Sequence, residues 1–191
     1  MTKVYCRELT TPIESLILGA IGDKLCLCDW KDSKRRMQND NRVKRLLKAD
    51  LVYIPSLQDG LDTLSEADAL NDSIVVLDKA ERELREYFAG KRESFDILLL
   101  MAGTDFQKSV WRSLQDIPYG EVVSYMDIAN RIDNPKGVRA VSQAIGSNPL
   151  SILIPCHRVV GSNGSLTGFA GGLEAKRCLL ELEKRARKFA S

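Results

Sequence analysis

The chain has 191 residues, 44% hydrophobic and 28% charged, the composition of an ordinary globular protein with room for one generous domain or two small ones. A formal charge of only +2 argues against extensive phosphate wrapping, and no apolar run approaches the roughly 20 residues that span a bilayer. Cys6, Cys26, Cys28, Cys156 and Cys178 leave at least one thiol unpaired, and MTKVYCRELTTP lacks a secretory layout, so the cytoplasm (or the nucleus of a eukaryote) is the expected compartment.

The first thirty residues alternate like paired strands: VYCREL and SLILGAI flank Thr10, Thr11 and Pro12, and KLCLCDW follows the turn residues Gly22 and Asp23. In KLCLCDW, period two puts Cys26, Cys28 and Trp30 on one face and Leu25 and Leu27 on the other. Residues 31–48 are dense in charge and read as a solvated loop passing into a short helix. Leu77, Ala80, Leu84, Tyr87 and Phe88 recur at helical spacing, and Gly90 ends that helix. SFDILLL then reads as a last strand. These elements make residues 1–103 an α+β N-terminal domain, with no catalytic cluster in it.

After residue 103 the texture changes. Thr104 to Gln107 is a T-x-x-Q capping box, opening a helix with a stripe of Phe106, Val110, Trp111 and Leu114. Helix YMDIANRI, turn DNPKG and helix VRAVSQAIGS follow, the last one stopping at Asn148-Pro149. Two short helices around such a turn fit either a helix-turn-helix or a plain helical hairpin. On the second, Ala140, Gln143, Ala144 and Ser147 share a low face, with Arg139 beside it. A final helix spans about 173–187. Residues 104–191 are thus mainly α. They carry 12 Lys/Arg against 8 Asp/Glu, whereas 1–103 carry 16 against 18, so the second half is the better polyanion surface.

The chemistry converges on LIPCHRVVGSNG. Cys156 follows the strand-like run SILIP, next to His157, the only histidine of the chain. A lone cysteine is as readily a buried hydrophobe as a nucleophile, and activation needs a nearby cation, base or helix N-terminus. Neighbours on an extended segment point apart, so a turn or a bridging water is required for His157 to serve Cys156. Glu183 shares a face with Leu179 and Leu180, which makes it a plausible orienter of the imidazole or a solvated helix end. The five glycines of GSNGSLTGFAGG allow close backbone approach to a flat ligand, on which Phe169 could stack. One histidine and no C-x-x-C pair leave no usual zinc set, so neither metal nor other cofactor is expected.

PCHRV with the downstream GFAGGL…K, together with TDFQKSVWRSLQDIPYGEVVSYMDIA, resembles the O6-alkylguanine-DNA alkyltransferases over about residues 104–183. The resemblance implies a ribonuclease H-like N-terminal domain and a C-terminal domain with a DNA-binding helix-turn-helix. It implies direct-reversal repair, in which Cys156 takes the alkyl group from O6-alkylguanine in double-stranded DNA and keeps it. His157 is then a water-mediated base oriented by Glu183. Tyr125 helps rotate the nucleotide and hydrogen-bonds the guanine, and Asn148 braces the recognition helix. Arg139 fills the vacated stack, while Ser124, Ala140, Gln143 and Ala144 meet DNA. Phe169 and Ala170 belong to the loop facing the base. A protein of this kind works as a monomer. A lesion-binding protein without chemistry is the alternative, disfavoured because Cys156 is present.

Overall fold

The computed structural model describes residues 2–55 and 68–189. Strands β1 (Thr2–Leu9), β2 (Leu16–Ile21), β3 (Lys24–Trp30) and β4 (Ala49–Tyr53) form one sheet in the order β3-β2-β1-β4, with helix α1 (Arg36–Leu47) between β3 and β4. β1 runs antiparallel to β2 and parallel to β4. Helix α2 (Asp68–Phe88) packs on the sheet, burying Leu77, Ala80, Leu84 and Tyr87 completely. Strand periodicity assigns the faces of β1: Val4 and Cys6 turn toward Val43 of α1, while Tyr5 and Leu9 join the α2 side. Arg7, on the α2 side, is buried and pairs with Asp78.

Three expectations fail here for physical reasons. Strict alternation in β3 breaks at a register shift, where Leu27 faces Gly19 but Leu25 faces Ala20, leaving Cys26 between them. Leu25, Cys28 and Trp30 therefore share one core, and Cys26 and Leu27 the other. SFDILLL is not a regular strand: only Leu99 bridges, to Leu25, although Leu25 N–H donates to Leu98 O (2.9 Å) and Leu100 N–H to Leu25 O (2.8 Å). Phe106 is partly exposed rather than part of the buried stripe.

The second half opens with α3 (Asp105–Gln115), whose capping box is formed reciprocally by Thr104 and Gln107. Caps of this kind contribute about 1 kcal/mol. Val110, Trp111 and Leu114 are fully buried, and Trp111 Nε1 donates to Ala144 O at 2.8 Å. Then come β5 (Val123–Ser124), α4 (Tyr125–Arg131), a 3-10 turn (Pro135–Gly137), α5 (Val138–Gly146), β6 (Val159–Val160) and α6 (Gly172–Phe189). β5 and β6 pair in parallel, setting Tyr125 beside the segment that leaves Cys156.

The halves on either side of residue 103 share one continuous apolar core. They also share a main-chain seam. Cys28 N–H donates to Pro149 O (2.8 Å), and Ser151 N–H donates to Cys28 O (2.7 Å). The outer edge of β3 is thus covered by 98–100 and by the approach to Cys156, which removes an otherwise open strand edge.

Candidate active site

The approach to Cys156 is not the strand suggested by SILIP. Ser151 bridges to Ile154 around a tight turn, and Ile152 takes φ 73°, a left-handed conformation costly for a β-branched residue. The turn is held from outside. Asn148 Nδ2 donates to Ile154 O, and Leu150 N–H donates to Asn148 Oδ1, each at 2.9 Å. Asn148 itself continues from the end of α5, so one buried amide fastens that helix to the turn.

Cys156, His157 and Arg158 then form a single 3-10 turn, and all three are buried. This supplies the turn that an extended segment lacks. Burial pushes the Cys156 thiol above its usual value, while the Asn148 side chain and the Lys176 ammonium oppose that rise. The resting group is a thiol. Burial lowers the His157 pKa despite Glu183, so the imidazole is neutral at pH 7. Its Nε2 lies 2.8 Å from Glu183 Oε1. A neutral ring facing a carboxylate there carries its proton on Nε2, leaving Nδ1 as an acceptor. Nδ1 is buried and has no hydrogen-bond partner among the described residues.

Glu183 is the hub behind that ring. Tyr87 OH donates to Oε1 at 2.8 Å and Gly120 N–H to Oε2 at 3.0 Å. Arg158 adds Nε to Oε2 at 3.0 Å and Nη2 to Oε1 at 3.0 Å, and its Nη1 reaches Ile117 O at 2.6 Å. Burial alone would raise the carboxyl pKa, but hydrogen bonds from His157 and Arg158, with the Arg158 charge and the charge His157 gains in acid, outweigh it and hold it at about 2. The alternative of a solvated helix end does not apply, since Glu183 is fully buried.

On the other side stands Lys176, two turns earlier on α6. It is fully buried, and Nζ donates to Val159 O (2.6 Å) and Thr167 O (2.8 Å) while lying 6.0 Å from the Tyr125 ring centroid. Burial lowers its pKa to about 8. Tyr125 OH donates to the same Thr167 O at 3.3 Å, and burial raises its pKa, which keeps it a donor. Lysine and tyrosine together pin the glycine-rich loop. That loop crosses the N-terminal half at Trp30: Phe169 packs edge-on at 6.0 Å, and a Cβ on Gly171 would stand 2.6 Å from the indole. Ala170 is half-buried beside them.

On α5, Arg139, Ala140 and Gln143 are exposed as expected. Ala144 is not: it is buried against α3, and its carbonyl receives the Trp111 and Ser147 donors. The low face is narrower than helical spacing suggests, because packing against α3 rotates that edge inward. Ser124 caps α4, sharing a reciprocal capping box with Asp127. Sequence reasoning does not single out Lys176, Tyr87 or Trp30 as site residues. For Lys176 a signal exists, since it lies at i−3 from Leu179 and i−7 from Glu183, on the stripe that faces the core.

A sequence profile described as the 6-O-methylguanine DNA methyltransferase DNA-binding domain matches residues 105–185. A methylated-DNA–protein-cysteine methyltransferase of Methanosarcina acetivorans is 55% identical over 105 residues, covering 55% of this chain and 67% of the relative. One from Haemophilus influenzae is 53% identical over 114 residues, covering 59% and 64%. A crystal structure of Mycobacterium tuberculosis OGT in complex with DNA matches with a TM-score of 0.74 and 35% identity, covering 95% of this chain and 94% of that one. The chain belongs to the methylated-DNA–protein-cysteine methyltransferase family. An O6-methylguanine-DNA methyltransferase structure from Pyrococcus kodakaraensis, at 22% identity and a TM-score of 0.55, shares the fold. Within the methyltransferase family, then, the α+β architecture of this chain is an expected one.

Proposed function

We propose that this protein repairs DNA by direct reversal, moving the alkyl group of O6-alkylguanine irreversibly onto Cys156. The observation that carries the reading is the 3-10 turn that sets Cys156 beside a neutral His157. Glu183 fixes the ring, and Nδ1 is left as an acceptor. His157 Nδ1 takes the thiol proton through one bridging water. The Lys176 ammonium favours the thiolate. The sulfur attacks the alkyl carbon in line, and the S–C bond forms as the C–O6 bond breaks. The electron pair stays on the guanine oxygen, where the Tyr125 hydroxyl and N–H groups of the Phe169–Ala170 loop meet the developing charge. A thioether at Cys156 has no good leaving group, so each molecule acts once.

Duplex DNA carrying the lesion is the partner. α4, the 3-10 turn and α5 serve as a helix-turn-helix presenting Ala140 and Gln143 to the groove, with Arg139 filling the stack once the guanine is everted. Ser124 approaches the backbone from the start of α4. Ala144 holds the helix on α3 instead of touching DNA. The sheet order, with β1 parallel to β4, supports a ribonuclease H-like N-terminal half. Residues 104–191 carry the chemistry, and the protein acts as a monomer.

Intact-mass measurement after mixing with a duplex holding one O6-methylguanine tests this. One added methyl group on the Cys156 peptide, ending at one equivalent, is expected. A stable complex with unmodified Cys156 would instead show a lesion-binding protein.

A further inference from the structure

A cleft of about 580 Å³ opens beside the glycine-rich loop. One wall is the loop itself, residues 168–173, and another is Ser142 and Gly146, one turn apart on α5. The remaining wall comes from the N-terminal half: Glu14, Asp32, Lys34 and Arg35. Arg35 lies along the end of α5, where a Cβ on Gly146 would stand 3.5 Å from its Cζ and Nη1. A guanidinium from the other half thus lies in van der Waals reach of the helix that carries Arg139, Ala140 and Gln143.

The cations of this stretch are used unequally. Arg36 is paired with Asp40, and Arg42 is engaged with Ala102 O, Asn39 and Ser147 O. Among the described residues, the Lys34 and Arg35 side chains form no salt bridge, and both are exposed. Ser142 and Gln143 adjoin on α5, so a strand lying on the exposed face of that helix runs past this cleft on its way to Phe169.

We infer that the cleft grips the phosphate backbone of the DNA strand flanking the everted nucleotide, with Lys34 and Arg35 as the phosphate-binding cations. The inference rests on the alkyltransferase reading and adds the N-terminal half to the DNA interface. Glu14 and Asp32 in the same cleft offset the two cations. They keep its general affinity for polyanions low, so the grip counts only once α5 has placed the strand.

The test is binding of a duplex holding one O6-methylguanine, followed by fluorescence anisotropy across a KCl series. A Cys156→Ser background prevents transfer during the measurement. Each phosphate that is no longer neutralised lowers the slope of log K against log salt by roughly 0.9. Lys34→Ala with Arg35→Ala is expected to reduce the slope by about one to two and weaken binding several-fold at 0.1 M salt. Asp32→Asn is expected to act oppositely, tightening binding, which no folding defect can imitate. Unchanged slopes in both variants would overturn the inference and leave Arg35 as a cation complementing the C-terminal end of α5. Weaker binding at an unchanged slope would overturn it equally. Failure of the wild-type protein to take a methyl group from the duplex would count against the alkyltransferase reading itself, independently of these slopes.

Discussion

Glu183 and Lys176 lie two turns apart on one face of α6, both fully buried, and their surroundings treat them in opposite ways. Glu183 receives donors from Tyr87, Gly120, His157 and Arg158. Lys176 has two carbonyls, an aromatic ring and, among the described residues, no carboxylate in salt-bridge reach. A buried charge with every lone pair occupied is a fixture, since no step of the reaction can improve its position. A buried ammonium without a counter-charge gains one when Cys156 ionises. The first side of the cysteine is therefore frame and the second is response.

Glu183→Gln attacks the frame. Removing one member of a buried ionic cluster costs about 3–5 kcal/mol, here leaving Arg158 uncompensated, and lowers Tm by about 10 °C. Methyl transfer should fall by about a hundredfold or more as His157 loses its orienter, as single-turnover kinetics on the modified duplex would reveal. A variant that melts like the wild type would dissolve the contrast with Lys176.

Acid probes the same frame without mutation. The Glu183 pKa is depressed in the fold, so its stabilisation is complete above the unfolded carboxylate value of about 4.3 and is lost as pH falls toward about 2. His157 is also depressed, so the unfolded chain binds its proton first, and stability begins to decline below about pH 6.5. Urea midpoints from pH 7 to 3 should therefore fall in two stages. The upper stage should be missing in His157→Asn.

Lys176→Met attacks the response. Methionine removes the cost of burying a charge but leaves Val159 O and Thr167 O without their donor, so Tm should shift little, while transfer at pH 7 slows about tenfold because the Cys156 pKa climbs further. The pH dependence of Cys156 alkylation by iodoacetamide, shifted upward in the variant, separates this from a packing defect. Smallest of all is Tyr87→Phe. It removes one donor of several and should cost about 1 kcal/mol with transfer nearly unchanged, readable in a denaturant titration.

How much of this is legible in the sequence follows the range of the forces involved. The helix through Leu77 and Tyr87, the capping box at Thr104 and the helix ending before Pro149 are set within a few residues, and they stand where local patterns put them. Glu183 is approachable because Leu179 and Leu180 mark its face as buried. The turn through Ser151–Ile154 is not, because it is imposed by Asn148 and the edge of β3, and apolar residues in a short run look alike in a turn or a strand. Period two misassigns the β3 faces at a bulge that depends on the partner strand. Helical spacing misplaces Ala144 because its burial is set by Trp111, more than thirty residues away.

The seam at Cys28 bears on how the two halves have been free to diverge. The family profile covers 105–185 alone, whereas the structural match to the Mycobacterium tuberculosis protein covers 95% of the chain. Where the first half meets the approach to Cys156 the link is main-chain: the N–H and carbonyl of residue 28, aligned to the peptide groups of Pro149 and Ser151. Peptide groups are the same in every sequence save at proline, which lacks the N–H. Substitutions can accumulate along that strand without erasing the edge, provided it remains a strand and a flat ring such as Trp30 still lies beneath Gly171. Along that edge, drift meets resistance from shape long before it meets resistance from chemistry.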